Sequence, residues 1–160
     1  MNLTRESRSE EETERFAAEL AAVVPPGTVI ALEGDLGAGK TAFARGFARG
    51  LGITEPVTSP TFTILQSYEG GRLPLWHFDL YRLEDEGEMD EIGYEDCFYG
   101  EGVSLVEWAS RMPDCLPENA VHVEISRVPE RGDDVRELRV SGFPEKEGKA
   151  LKYSELRARH

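Results

Sequence analysis

The chain has 160 residues, 39% of them apolar, enough for one compact domain that hides roughly two-thirds of its unfolded surface and too few for a second. Eighteen Lys and Arg against 31 Asp and Glu leave a net charge of −13, whose averaged field repels DNA, RNA and anionic membrane. Cys97 and Cys115 form no CxxC pair, and no stretch has the apolar length of a signal-peptide core or a transmembrane helix, so the expectation is a soluble, cytoplasmic protein with free thiols.

Ser9-Glu10-Glu11-Glu12 is a capping box, and Phe16, Ala17, Leu20 and Ala21 follow at helical spacing, which predicts a helix from about 10 to 23. Pro25-Pro26-Gly27 stops it. Thr28 to Leu32 is a short apolar run rich in β-branched residues, a buried strand that enters Glu33-Gly34. Thr41 to Leu51 places Phe43, Phe47 and Leu51 four apart, a helix that Gly52 ends. Two prolines and four hydroxyl residues between Glu55 and Thr63 predict a loop leading into a strand around Phe62 to Tyr68. Gly70-Gly71 then turns the chain into a second strand, Leu73 to Leu80, so the pair reads as a hairpin. Glu84 to Glu101 holds nine acids and no Lys or Arg, the pattern of a solvated helical face. Val103 to Val106 is another buried strand, delivering Glu107 and Trp108 at its end. Strands near Val121 to Ser126 and Val135 to Ser141 join across Arg131-Gly132-Asp133-Asp134. Residues 1–143 are expected to form the single domain, and 144–160 a charged tail of uncertain order.

Gly34-Asp35-Leu36-Gly37-Ala38-Gly39-Lys40-Thr41 satisfies GxxxxGK[ST], between a predicted strand and a predicted helix as a phosphate-binding loop requires. Its glycines let backbone N–H groups converge on phosphate oxygens, and the helix N-terminus adds partial positive charge. Lys40 would reach the β- and γ-phosphates; it is the only lysine before Lys146, in a chain that otherwise prefers arginine. Thr41 would offer its hydroxyl to Mg²⁺. Such a site also needs a strand-end carboxylate to hold or orient the magnesium. Glu107 stands in that position, as a metal-shell residue or as a plain surface acid. Asp79 is the second candidate: alternation turns His77, Asp79 and Tyr81 to one face, lining a wet nucleotide cleft or forming the exposed side of a hairpin strand.

The hydroxyl-rich Thr58-Ser59-Pro60-Thr61 is placed like a first switch that senses γ-phosphate and Mg²⁺, or is a proline-shaped turn. Arg45, Arg49 and Arg82 are either phosphate-stabilising or ion-paired on the surface. His122 reads as structural, and Trp108 as core, a lid or a partner contact. Neither Asn2 nor Asn119 is followed by lysine, which argues against the guanine-recognition element of a classical GTPase. Asp90-Glu91-Ile92-Gly93 spells DxxG inside the acidic helical stretch and not at a strand end, so it is discounted as a switch.

Four ordered blocks now carry a resemblance: Glu33 to Thr41, Thr58 to Phe62, His77 to Arg82, and Leu105 to Trp108. Together they resemble the TsaE family, formerly YjeE, over about residues 9 to 128. The resemblance implies a P-loop α/β fold, with a central, mainly parallel sheet flanked by antiparallel strands and helices on both faces. It implies a cytoplasmic ATPase in threonylcarbamoyladenosine modification of tRNA that works with the TsaB–TsaD pair, meets tRNA only through that complex, and binds neither DNA nor membrane. ATP would be the substrate and Mg²⁺ the metal. Residue by residue, Leu36, Gly37, Ala38, Gly39, Lys40 and Thr41 take the phosphates, Thr41 and Glu107 the metal, and Lys40, Asp79 and Glu107 the catalytic roles. Thr58, Ser59 and Thr61 become the switch-like loop, with Trp108 and Arg82 as site support. The competing functional classes are a small-molecule kinase and a nucleotide-sensing interaction module.

Overall fold

Each strand expected between Thr28 and Ser141 forms, and one more precedes them. A computed structural model describes residues 2–35, 37–60 and 62–143; Leu36, Thr61 and the segment 144–160 lie outside the described residues. Within them one sheet contains β1 (Asn2–Ser7), β2 (Val29–Glu33), β3 (Leu65–Tyr68), β4 (Leu75–Asp79), β5 (Val103–Glu107), β6 (Val121–Arg127) and β7 (Arg136–Ser141), in the order β1-β7-β6-β2-β5-β4-β3. The four central strands β6, β2, β5 and β4 are parallel, while β7 and β1 continue one edge and β3 the other in antiparallel pairing. Helices α1 (Glu10–Ala21) and α2 (Lys40–Gly50) cover one face; α3 (Glu86–Glu91) and α4 (Tyr94–Phe98) cover part of the other. This is the α/β arrangement expected from the sequence, a mainly parallel centre with antiparallel flanks and helices on both faces.

The apolar runs are nearly continuous in β2 and β5, at the middle of the sheet, because both of their faces are covered. Ile30 and Leu32 of β2 pack with Leu105 and Val123 beneath α1 and α2. Val29 and Ala31 point the other way, toward Phe78, Met89, Phe98 and Val106. Ser9 caps α1 by accepting from the Glu12 N–H at 3.1 Å, whereas the Glu12 carboxylate accepts from the Arg8 N–H at 3.1 Å, one residue earlier than a capping box places it. Glycine has a packing role in α2: a Cβ on Gly46 would strike the backbone of Glu14, and one on Gly50 the backbone of Ala18. The two helices therefore touch backbone to backbone, and Phe16, Leu20, Phe43 and Phe47 reach the core between them and the sheet. Full burial of such a side chain contributes about 1.5–3 kcal/mol.

Three details differ from the sequence reading. β1 has only one deeply buried apolar residue, Leu3, opposite Val140, so no alternation announces it. The acidic stretch is two short helices whose inner residues Met89, Cys97 and Phe98 are buried. His122 is exposed, as is its same-face β6 neighbour Glu124, because helices leave that face of β6 open. Among the described residues no helix is long and apolar enough to cross a membrane.

Candidate functional site

The loop from Gly34 to Gly39 leaves the C-terminal end of β2 and delivers the chain into α2. Gly37 and Gly39 have φ of +78° and +117°, values at which a Cβ is strained, so the turn needs glycine there. Gly39 is the N-cap of α2, and Lys40 is its first residue. The loop is held from outside by Arg136 of β7, which donates to the carbonyls of Ala38 at 2.8 Å and Gly37 at 3.3 Å. The Arg127 guanidinium lies where a side chain on Gly37 would project. Neither arginine was distinguishable in the sequence; both arrive at the loop because the β6–β7 hairpin runs beside β2.

Strand register brings the acids together. Asp79 ends β4 opposite Glu107, which ends β5, and both side chains share the face that bears α1 and α2. Both lie at the carboxyl ends of parallel strands, next to the loop after β2, where open α/β sheets form their ligand crevices. Gly37, Gly39, Lys40, Thr41, Ser59, Asp79, Glu107 and Trp108 line one cleft of about 410 Å³, together with Glu10, Ala42, Arg45 and Tyr81.

Within this cleft Lys40 is only 7% exposed, and its Nζ has no hydrogen-bond partner among the described residues. The ammonium instead lies 3.8 Å from the Trp108 ring centroid. Burial pushes the Lys40 pKa down, against the opposing fields of Glu107, Asp79, Glu33 and Asp35. Trp108 sits at φ +57°, an uncommon conformation for a bulky residue, with its ring 4.9 Å from that of Tyr81. Asp79 accepts from the Tyr81 N–H at 3.0 Å, and its own N–H donates to Ile64 at 2.8 Å. Glu107 is 5% exposed and accepts a 2.6 Å hydrogen bond from His77 Nε2.

The expected site residues thus converge in large part. His77 and Asp79 share a face as alternation required, but that face is buried, 1% and 4% exposed, and not the outer side of a hairpin strand. Tyr81 lies beyond the end of β4 and is exposed. Thr58 is exposed, with its N–H 3.3 Å from the Tyr68 hydroxyl, and does not line the cleft as Ser59 does. Arg82 is absent from the lining and stacks on exposed Phe62, 4.4 Å from its ring centroid. Arg49 pairs with Glu14 at 2.9 Å; Arg45 pairs with Glu10 and Glu14 at 3.5 Å and also reaches the cleft. Leu36 and Thr61 lie outside the described residues.

A glycine turn at the head of α2, two strand-end carboxylates and a lysine whose Nζ has no hydrogen-bond partner among the described residues thus meet in one cleft, and comparison with known proteins gives the family. Residues 7–137 match the model of the family described as threonylcarbamoyl adenosine biosynthesis protein TsaE. The tRNA threonylcarbamoyladenosine biosynthesis protein TsaE of Bacillus subtilis (strain 168) is 52% identical over 128 residues, 80% of this chain and 78% of that protein. Its namesake from Treponema pallidum (strain Nichols) is 44% identical over 119 residues, 74% of this chain and 87% of that protein. The crystal structure of Bacillus subtilus YdiB superposes with a TM-score of 0.78 at 40% identity, covering 99% of this chain and 93% of that one. The chain belongs to the TsaE family.

Proposed function

We propose that this protein is a Mg²⁺-dependent P-loop ATPase that supports threonylcarbamoyladenosine modification of tRNA by ATP-driven action on the TsaB–TsaD complex. The observation that carries this reading is Lys40: an ammonium buried without a hydrogen-bond partner among the described residues, at the head of α2 and beside two carboxylates, is a binding group for an anion. Family membership supplies the pathway.

The donor set fits a magnesium nucleotide. Mg²⁺ is usually bound by one or two protein oxygens together with substrate phosphates and water, and Thr41 and Glu107 offer a hydroxyl and a carboxylate in the cleft. When bound with ATP, the metal supplies charge neutralisation at the β- and γ-phosphates. The backbone N–H groups of Leu36 through Thr41 take phosphate oxygens, and Lys40 leaves the Trp108 ring for them. Asp79 orients the attacking water or the metal shell, its carboxylate held by the Tyr81 amide. Thr58, Ser59 and Thr61 act as the switch-like loop over the γ-phosphate; of these Ser59 lines the cleft. The net charge of −13 suits docking to protein subunits and not direct grip on tRNA. ATP and ADP must then favour different conformations, since a nucleotide that binds both equally shifts nothing.

The test is phosphate release from ATP and Mg²⁺ by the wild type and by Lys40→Ala and Glu107→Ala, each with and without TsaB–TsaD. Hydrolysis that rises with the partners and is lost in both variants supports the proposal. ATP consumption that requires a metabolite hydroxyl and leaves the phosphoryl group on it, with no free phosphate, identifies a kinase, and nucleotide binding without turnover in any mixture identifies a sensing module.

A further inference from the structure

Histidine 77 sits where an apolar side chain is expected. It faces the α1/α2 side of β4, in the same row as Leu75 and opposite Leu105, and is 1% exposed. An unpaired polar group there would be strongly disfavoured. Its one side-chain hydrogen bond among the described residues joins Nε2 to Glu107 Oε2 at 2.6 Å, across two neighbouring parallel strands. Its Nδ1 is buried without a partner among the described residues. An unpaired acceptor is tolerated better than an unpaired N–H, which puts the proton on Nε2 and makes His77 the donor. His77 itself does not line the cleft; Glu107 does.

We propose that His77 is a positioning residue: its Nε2–H holds the Glu107 carboxylate in one rotamer, committing Oε2 and leaving Oε1 to the magnesium of a bound Mg–nucleotide. The proposal rests on the Mg–nucleotide reading of the cleft. Glutamate has three side-chain torsions, and a partner outside the metal shell that fixes them lowers the cost of binding the ion.

Calorimetric binding of ADP to the full chain, with Mg²⁺ and with chelator, separates this role from a structural one. The quantity read is the gain in ADP affinity that Mg²⁺ provides, with a thermal melt of each variant reporting folding. His77→Leu is expected to cut that gain by about tenfold, at the lower end of losses typical for such partners, while leaving Mg²⁺-free ADP affinity unchanged. His77→Gln, which presents an N–H donor at a similar reach, restores most of it; His77→Asn, one bond shorter, does not. In a Glu107→Gln background His77→Leu costs nothing further. If His77→Leu fails to fold, the contrast between Gln and Asn decides the matter. The proposal is overturned by a wild-type Mg²⁺ gain in His77→Leu, by equal gains in the Gln and Asn variants, or by an undiminished loss in the Glu107→Gln background. A wild type that binds ADP with no Mg²⁺ gain overturns the metal reading and this proposal together, whereas the variant results above overturn this proposal alone.

Discussion

Replacing Lys40 by methionine should stabilise the nucleotide-free protein. Methionine keeps an unbranched side chain one atom shorter and removes the charge. A buried donor without a partner costs about 1–3 kcal/mol, and among the described residues Lys40 Nζ finds none. Against this stands the contact of the ammonium with the Trp108 ring, 3.8 Å from its centroid. Cation–ring contacts contribute about 0.5–2 kcal/mol, and a methionine sulfur on the same ring recovers about 0.3–1.5 kcal/mol. The net is a gain of about 1 kcal/mol, or a Tm higher by roughly 2–4 °C for a chain of this size. The sign of the pH dependence follows from burial, which lowers the Lys40 pKa in the folded state. As pH rises through that lowered value the folded chain sheds its proton first and the unfolded chain holds more, so wild-type stability rises relative to Lys40→Met. The gap between the two proteins therefore narrows toward the ordinary lysine pKa. Thermal melts without nucleotide, from neutral to alkaline pH, measure both effects. A Tm lowered by Lys40→Met at neutral pH would show that the neighbouring carboxylates already compensate the ammonium, and would refute its description as an unsatisfied binding group.

Two further predictions concern the frame that holds the cleft. Gly46→Leu drives a side chain into the Glu14 backbone and should destabilise by about 1–3 kcal/mol or more, read as a lower denaturation midpoint; an unchanged midpoint would mean that α1 and α2 are not in contact at Gly46. Cys97 and Cys115 are both buried, and burial pushes their thiols up, so both should react slowly with a disulfide reagent in the native protein and promptly in denaturant. Rapid native labelling of either would contradict the burial of α4 and the turn at Cys115 against the sheet.

How much of this was legible in the sequence depends on how local each feature is. The glycine turn between β2 and α2 was, because its spacing and its strand–helix context lie within consecutive residues. Glu107 was, because the apolar run from Val103 ends on it. The bond between His77 and Glu107 was not, since it depends on β4 and β5 lying side by side, and the acidic stretch separates them in the chain. The same holds for Arg136, one arginine among many until the β6–β7 hairpin lays it against the carbonyls of Gly37 and Ala38. β1 carried too little apolar pattern to be seen, because its partner β7 and the open face of the sheet demand only Leu3 from it. Arg82 is the converse case: its charge and its place in the His77 to Arg82 block suggested site support, and the structure stacks it on Phe62, outside the cleft lining.

If the cleft around Lys40 binds a magnesium nucleotide, equilibrium titration of ATP with Mg²⁺ into the full chain gives saturable binding, weakened when Mg²⁺ is chelated and lost in Lys40→Ala. Binding that survives Lys40→Ala undiminished, or no binding of ATP by a folded wild type, would contradict it.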